Sequence, residues 1–318
     1  MKNQFCWISY KGRYEVRRYI NAAARIMKVK YRLKTKFKKE LIDLDGTQNF
    51  IIGKIQEGKL ALIARFGSNE ALITALAKGI DLRVLRKISD KALASINKNA
   101  GVFPYGQEMA CRFGRISIDA AKQVDLLGAW DSAMQDYLIA EVCTKDVTLT
   151  DLGNLEPFFA EKPWTAALKG KKVLVVHPFK DTIEKQYKKR ELLFENPNML
   201  PEFELRVLRA VQTSAYEKDE RFKDWEEALN YMFEEAMKQD FDVALIGCGA
   251  YGMPLAAKLK QSGKVAIHLG GCLQLFFGIK GNRWNVMPQA GLYNEHWIKP
   301  LEHETPKAAQ VIEGACYW

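Results

Sequence analysis

Apolar residues along this chain fall into short runs, each closed off by glycine or proline. Val243–Ile246 is four apolar residues hard against Gly247, the mark of a buried strand. A glycine-rich turn through Gly252 follows. Pro254 then stands where a helix begins, and Leu255 and Leu259 lie four apart on one helical face. Gly263 closes that helix, and a second strand at 265–269 runs into Gly270 and Gly271. The pattern predicts a strand–turn–helix–strand unit of a parallel sheet with a right-handed crossover. A similar unit is expected earlier, with a strand at 60–64 and a helix at 71–77 capped by Ser68 or Asn69. Further strands are expected at 171–176, ending in His177, and at 203–211, with helices at 183–194 and Trp225–Met237. Residues 78–165 read as mostly helical, broken by the Gly- and Pro-bearing loop at 100–108, and 150–164 reads as a connector. Alternating strands and helices predict an α/β, Rossmann-like, doubly wound and mostly parallel sheet with a helical middle segment. Three parts are expected: a basic arm at 1–48, a first unit plus helical segment at 49–165, and a nucleotide-binding half at 166–318.

Charge separates the arm from the rest. Residues 1–48 hold 13 of the 48 lysines and arginines but only 4 of the 38 acids, leaving 35 against 34 in the remainder. Within the arm, Val16, Ile20, Ala23 and Met27 recur at helical spacing, while residues 28–38 alternate cation and non-cation as a strand with one wet face would. The arm reads either as a face that touches anionic lipid headgroups or as a solvated face packing its aromatics on the body. No nucleic-acid motif accompanies it. No run approaches the roughly 18 apolar residues of a membrane span. Six scattered cysteines without a CxxC pair fit the reduced thiols of a cytoplasmic protein, and four histidines with no HxxxH offer no zincin site.

The candidate chemistry sits at the turns. Gly247, Gly249 and Gly252, with Tyr251 between them, match GxGxxG, which lets backbone N–H groups approach a phosphate at a helix N-terminus. An NAD site wants an acid at the end of the next strand, and this one ends in His268 with no carboxylate. The first turn, Arg65, Gly67, Ser68, Asn69 and Glu70, puts a cation able to clamp a diphosphate beside a helix start. His177, Lys180 and His268 lie just past strand ends, where open α/β sheets bind ligands, and Arg283 adds a cation beside Trp284. Asp43 and Asp45 form a DxD that reads either as a divalent-ion site or as a turn. Glu108 and Asp131 are candidate general bases from the middle segment. The tail, with its apolar end Ala315 to Trp318, reads as docked on the body or on a second copy, which makes a homo-oligomer an open expectation.

Several of these stretches resemble the GT-D class of glycosyltransferases. "LIARFGSNE" at 62–70 is similar to that class's opening pattern Arg-Phe-Gly-Asp-Gly-Glu, and 241–271 resembles its second glycine-rich strand–turn–helix. "LFFGIKGNRW" and the closing "EGACYW" are similar to a bacterial branch found among surface-polysaccharide enzymes. The resemblance spans most of 50–318. It implies a nucleoside-diphosphate sugar as donor and a glycan or lipid-linked glycan as acceptor, and the basic arm would then hold the protein peripherally at the inner face of the membrane. It also implies Mn2+ or Mg2+ at the Asp-any-Glu of the first motif. Here Ser68 replaces the first acid, so Glu70 alone carries over as the metal residue. A non-catalytic nucleotide- or glycan-binding subunit, and more distantly an NAD-dependent oxidoreductase, are the alternatives.

Overall fold

The computed structural model describes residues 1–29, 33–217, 219–312 and 314–318. The strands are β1 (Leu41–Ile42), β2 (Ala61–Arg65), β3 (Leu126–Ala129), β4 (Thr148–Asp151), β5 (Lys172–His177), β6 (Glu204–Arg209), β7 (Val243–Ile246) and β8 (Val265–His268). They form one all-parallel sheet in the order β1-β4-β3-β2-β8-β7-β5-β6. The helices are α1 (Lys2–Ile26), α2 (Leu44–Glu57), α3 (Ser68–Asp81), α4 (Asp90–Ala100), α5 (Gln107–Ala121), α6 (Gln135–Glu141), α7 (Lys180–Tyr187), α8 (Trp225–Met237) and α9 (Gly252–Gln261).

Parallel strands covered on both faces read as continuous apolar runs, and each central strand here divides its side chains between two cores. Val173 and Val175 of β5, and Val243 and Leu245 of β7, face a core shared with Trp164, Phe276 and Trp297. Leu174, Val176, Ala244 and Ile246 face the other, shared with α3, α5, α8 and α9. On that second face Ala64, Ala129, Ala244 and Ala266 keep the sheet surface low, so that α9 packs close through Ala256 and Ala257. The outer strand β6 is half exposed and carries Glu204, Arg206 and Arg209, charges that discourage further pairing at that edge.

The doubly wound α/β sheet matches the sequence expectation, and several local readings are corrected. The middle segment is not mostly helical: β3 and β4 run through it. Leu126–Ala129 is too short to show a period, and Thr148–Asp151 buries only its two middle residues. The helix expected at 183–194 ends at Tyr187, because the chain tightens into a 3-10 turn at Arg190–Leu192. Gly67, rather than Ser68 or Asn69, caps α3, and no side chain bonds there. The alternating stretch at 28–38 forms no strand over 33–38, and Lys30 to Arg32 lie outside the described residues, as does Glu313. Asp43 is a helix cap, its Oδ1 accepting from Gly46 N–H at 2.8 Å, so the turn reading of the DxD holds.

Candidate functional site

Beyond β5 the chain leaves toward β6, whereas beyond β7 it leaves the opposite way toward β8. That divergence opens a crevice at the carboxyl ends of β5 and β7, where open α/β sheets place their ligands. A cavity of about 120 Å³ fills it, room for roughly four waters at liquid density. Its floor comes from His177, Gly247, Cys248 and Gly249, with Thr213 from the chain beyond β6 and Gln274 from beyond β8. Glu70 enters from α3, and Tyr317 and Trp318 close one side. Among the described lining residues Glu70 is the one carboxylate, and there is no lysine or arginine.

The glycines of the turn have steric duties of their own. A Cβ on Gly247 would lie 2.7 Å from His177 Cδ2 and 2.8 Å from Gly270 O. Gly249 takes φ +58, the left-handed region. A Cβ on Gly252 would lie 2.0 Å from the ring of His268. The GxGxxG spacing therefore houses two histidines as well as turning the chain.

Both histidines are neutral. His177 is 2% exposed and His268 5%. Burial drags each down to about 3, with Arg65 adding to the effect at His268. His177 Nδ1 accepts from Phe179 N–H at 3.1 Å, which assigns the proton to Nε2 and makes that nitrogen a donor. His268 Nδ1 has no partner among the described residues.

Arg65 lies behind the β8 loop, its Nη1 3.2 Å from where a Cβ on Gly270 would sit. Its Nε and Nη2 donate to Phe66 O at 3.2 and 2.8 Å, and the guanidinium lies 5.6 Å from the Trp130 ring. Glu70 folds back over the helix start, with Oε2 2.0 Å from a Cβ position on Gly67. Burial of its carboxyl raises the Glu70 pKa, opposed by its own N–H and by Arg65. Glu156 behaves alike, raised by burial and opposed first by the Gln289 amide and then by Arg65. One guanidinium thus serves two poorly solvated carboxyls.

Of the residues read from the sequence, Glu70, His177, Gly247, Gly249 and Tyr251 line the cavity. Arg65, Gly67, Gly252 and His268 stand directly behind it. Arg283 supports a wall, donating to Tyr317 Oη at 3.1 Å with its guanidinium 4.7 Å over that ring. The others lie apart. Ser68 is exposed, and Asn69 Oδ1 accepts from Ser95 Oγ at 2.8 Å, tying α3 to α4. Lys180 pairs with Glu184 at 3.8 Å beside a neighbouring groove. Glu108 is exposed and pairs with Arg112 at 3.2 Å. Asp131 holds the arm, accepting from Thr35 N–H at 3.2 Å and Thr35 Oγ1 at 2.5 Å.

Sequence reasoning passed over Gln274. It is fully buried, and its Nε2 donates to Ile279 O, Lys280 O and Tyr317 O at 3.3, 3.2 and 3.0 Å. Three carbonyls fix which end of the amide is nitrogen. Among the described residues its Oε1 has no partner, on a residue that lines the cavity. A lone glutamine inside the apolar run 273–277 was the signal. Thr213 was also missed: its Oγ1 donates to Gly101 O at 2.7 Å, which leaves Tyr251 Oη to donate to it at 3.0 Å.

For a divalent ion, Glu70 is the one carboxylate among the described lining residues, and these alone are too few ligands to hold Mn2+ or Mg2+. Elsewhere Asp181, His303 and Glu304 bring ligand atoms within 4.8 Å of one another. Those atoms are already engaged. Glu304 accepts from Asp181 N–H at 2.7 Å, Thr182 N–H at 3.1 Å and the Thr182 hydroxyl, capping α7. Asp181 accepts from His303 at 2.7 Å and Arg209 at 2.8 Å, and these bonds hold its carboxyl below the usual range.

No family profile and no curated protein matches the chain. Two solved structures resemble it. One is described as a selenomethionine-substituted domain of unknown function 1792. The other is described as the highly conserved domain of unknown function 1792, with a distinct glycosyltransferase fold. In each case the match covers 83% of this chain and 92% of the other, at 13% identity and a TM-score of 0.44.

Proposed function

We propose that the protein is a glycosyltransferase that takes its sugar from a nucleoside-diphosphate donor. The observation that carries this reading is the half-open cavity at the switch point, which brings together neutral His177, the carboxyl of Glu70 and Gln274, whose buried Oε1 has no partner among the described residues. A buried carbonyl oxygen without a donor costs about 1–3 kcal/mol, and a ligand hydroxyl or imide N–H would remove that cost. His177 Nε2–H supplies the complementary donor, so the cavity suits a neutral, hydroxyl-bearing group such as a sugar ring or ribose. Its lack of a lining cation argues against phosphate inside it.

Phosphate belongs beside it. Arg65 makes no ion pair among the described residues, donating to a main-chain carbonyl instead. The N-termini of α3 and α9 add fixed positive ends next to the cavity. In the proposed reaction an acceptor hydroxyl attacks the anomeric carbon. The anomeric C–O bond breaks with its electrons passing to the diphosphate, which Arg65 and the helix ends stabilise. Glu70 takes the hydroxyl proton. Burial raises its pKa, which makes its carboxylate a stronger base than an ordinary one, and it takes the role read for Glu108 and Asp131, which lie apart from the cavity. No step is routed through a metal. The acceptor class, a glycan or lipid-linked glycan, comes from the motif resemblance alone.

A second reading, a non-catalytic binding subunit, is favoured by Ser68 standing where the motif has an acid. Thermal shift with UDP, GDP, CMP, their sugars and NAD tests binding. A ligand at about 100-fold over its dissociation constant adds ~2.7 kcal/mol. A shift with one nucleotide sugar that is lost in Gln274→Leu is expected, and a shift with NAD alone contradicts the reading. Binding without release of nucleoside diphosphate points to the subunit.

A further inference from the structure

We propose that α1 docks the protein on an anionic lipid surface, lying in the plane of the bilayer with one face among the headgroups. The proposal is independent of the reaction assigned to the cavity.

The fold uses one face of α1. Trp7, Tyr10 and Ala24 are buried, Trp7 Nε1 donates to Ala75 O at 2.8 Å, and Tyr10 meets Tyr137 edge-on at 5.7 Å. The body is shaped for this contact, since a Cβ on Gly79 would lie 2.5 Å from the Trp7 ring. The opposite face carries Phe5, Ile8, Val16, Tyr19 and Ile26, which are 70, 52, 59, 66 and 82% exposed. Their spacing keeps them in one narrow stripe along the helix, with only exposed Gly12 and Ala23 between. A continuous exposed apolar stripe marks an interaction surface.

The charge identifies the occupant. By helical position Lys2 and Arg13 flank the stripe on one side; on the other Glu15, the helix's one acid, lies beside it and pairs with Lys11 and Arg18 beyond. A groove of about 530 Å³ opens beside it, lined by Arg13, Arg17, Lys34, Lys36 and Lys38 against the single carboxylate of Asp136. Tyr10, Val16 and Leu33 give that groove an apolar wall. Cations over apolar surface fit a headgroup phosphate and the start of its acyl chains. A second copy of α1 would set this strongly basic arm against itself. No helix among the described residues is long and apolar enough to cross a membrane, so α1 lies on the surface.

The test is sedimentation of the full chain with vesicles of phosphatidylcholine alone, and of phosphatidylcholine mixed with phosphatidylglycerol. The wild type is expected to bind the mixed vesicles and not the neutral ones. The triple variant Phe5→Glu, Ile8→Glu, Tyr19→Glu, whose sites are all exposed, should keep the unfolding midpoint and bind at least ~10-fold more weakly. Lys34→Gln, Lys36→Gln, Lys38→Gln should weaken binding about 100-fold at low salt. Equal binding to neutral vesicles, no binding to either, or undiminished binding by the triple variant overturns the proposal. So does self-association in sedimentation equilibrium that the triple variant abolishes, which would make the occupant a second copy.

Discussion

Replacing Gly252 by alanine sets two effects of opposite sign against each other. Gly252 opens α9 with φ −58 and ψ −56, values an alanine adopts without strain. At an unobstructed helical site such a change stabilises by ~0.5–1 kcal/mol, through the unfolded chain. Here the new methyl would lie 2.0 Å from Cε1 and Nδ1 of His268. That ring is 5% exposed at the end of a central strand and has no solvent to swing into. Forcing extra volume into a packed interior costs ~1–3 kcal/mol, so the clash outweighs propensity and the variant should be less stable by up to ~2 kcal/mol. Gly53 in α2, with nothing within 4 Å of its Cβ position, is the control, and Gly53→Ala should stabilise. In a His268→Ala background the obstruction is gone, so a double-mutant cycle should return a coupling of ~1–3 kcal/mol. Urea unfolding at neutral pH measures all five proteins, the wild type, the three variants of the cycle and the Gly53→Ala control. If Gly252→Ala stabilises as Gly53→Ala does, His268 is not housed against Gly252 and the steric account of the turn fails.

Both buried histidines should make the fold acid-sensitive. Each has its folded pKa depressed to about 3 from 6.5, so the unfolded chain binds more protons in that window. Stability should be full above pH 6.5 and fall as pH drops toward 3, by up to ~1.4 kcal/mol per pH unit per histidine. His268→Gln should remove about half of that slope in urea midpoints measured from pH 7 to 5, and an unchanged slope refutes the assignment. Glu304, with no exposed side-chain surface, caps α7, so Glu304→Ala should cost ~1–3 kcal/mol in the same assay. Arg65→Ala should weaken nucleoside-diphosphate binding by roughly 10- to 100-fold in calorimetry, the worth of one charge-assisted hydrogen bond, while nucleoside binding changes little.

The sheet was legible because its strands announce themselves. Val243–Ile246 and Val173–Val176 are unbroken apolar runs bounded by glycine, histidine or charge, and both halves of the chain repeat the strand–turn–helix rhythm. β3 and β4 were not, since Leu126–Ala129 has Gly128 inside it and no β-branched residue, and Thr148–Asp151 holds one apolar residue among two threonines and an acid. The arm's alternation misled because residues 33–38 answer to Asn21 and Asp131 rather than to a neighbouring strand: Asn21 exchanges two hydrogen bonds with the Leu33 backbone. For the site, strand-end position and glycine spacing singled out His177, Gly247, Gly249 and Glu70, which the fold brings to one cavity. Gln274, Thr213 and Tyr317 escaped because their roles depend on contacts 34 to 112 residues away in sequence. Glu108 and Asp131 drew notice as acids near turns, and their charges are spent on Arg112 and on the arm.

Turnover tests the central claim most directly. Purified protein would be incubated with each of a panel of nucleotide sugars, and release of free nucleoside diphosphate followed with and without an added glycan acceptor. The account predicts slow release from one donor alone, faster release with a suitable acceptor, and a loss of both in Glu70→Gln with the unfolding midpoint unchanged. Release undiminished in Glu70→Gln, or none from any donor by a protein that binds one of them, would contradict it.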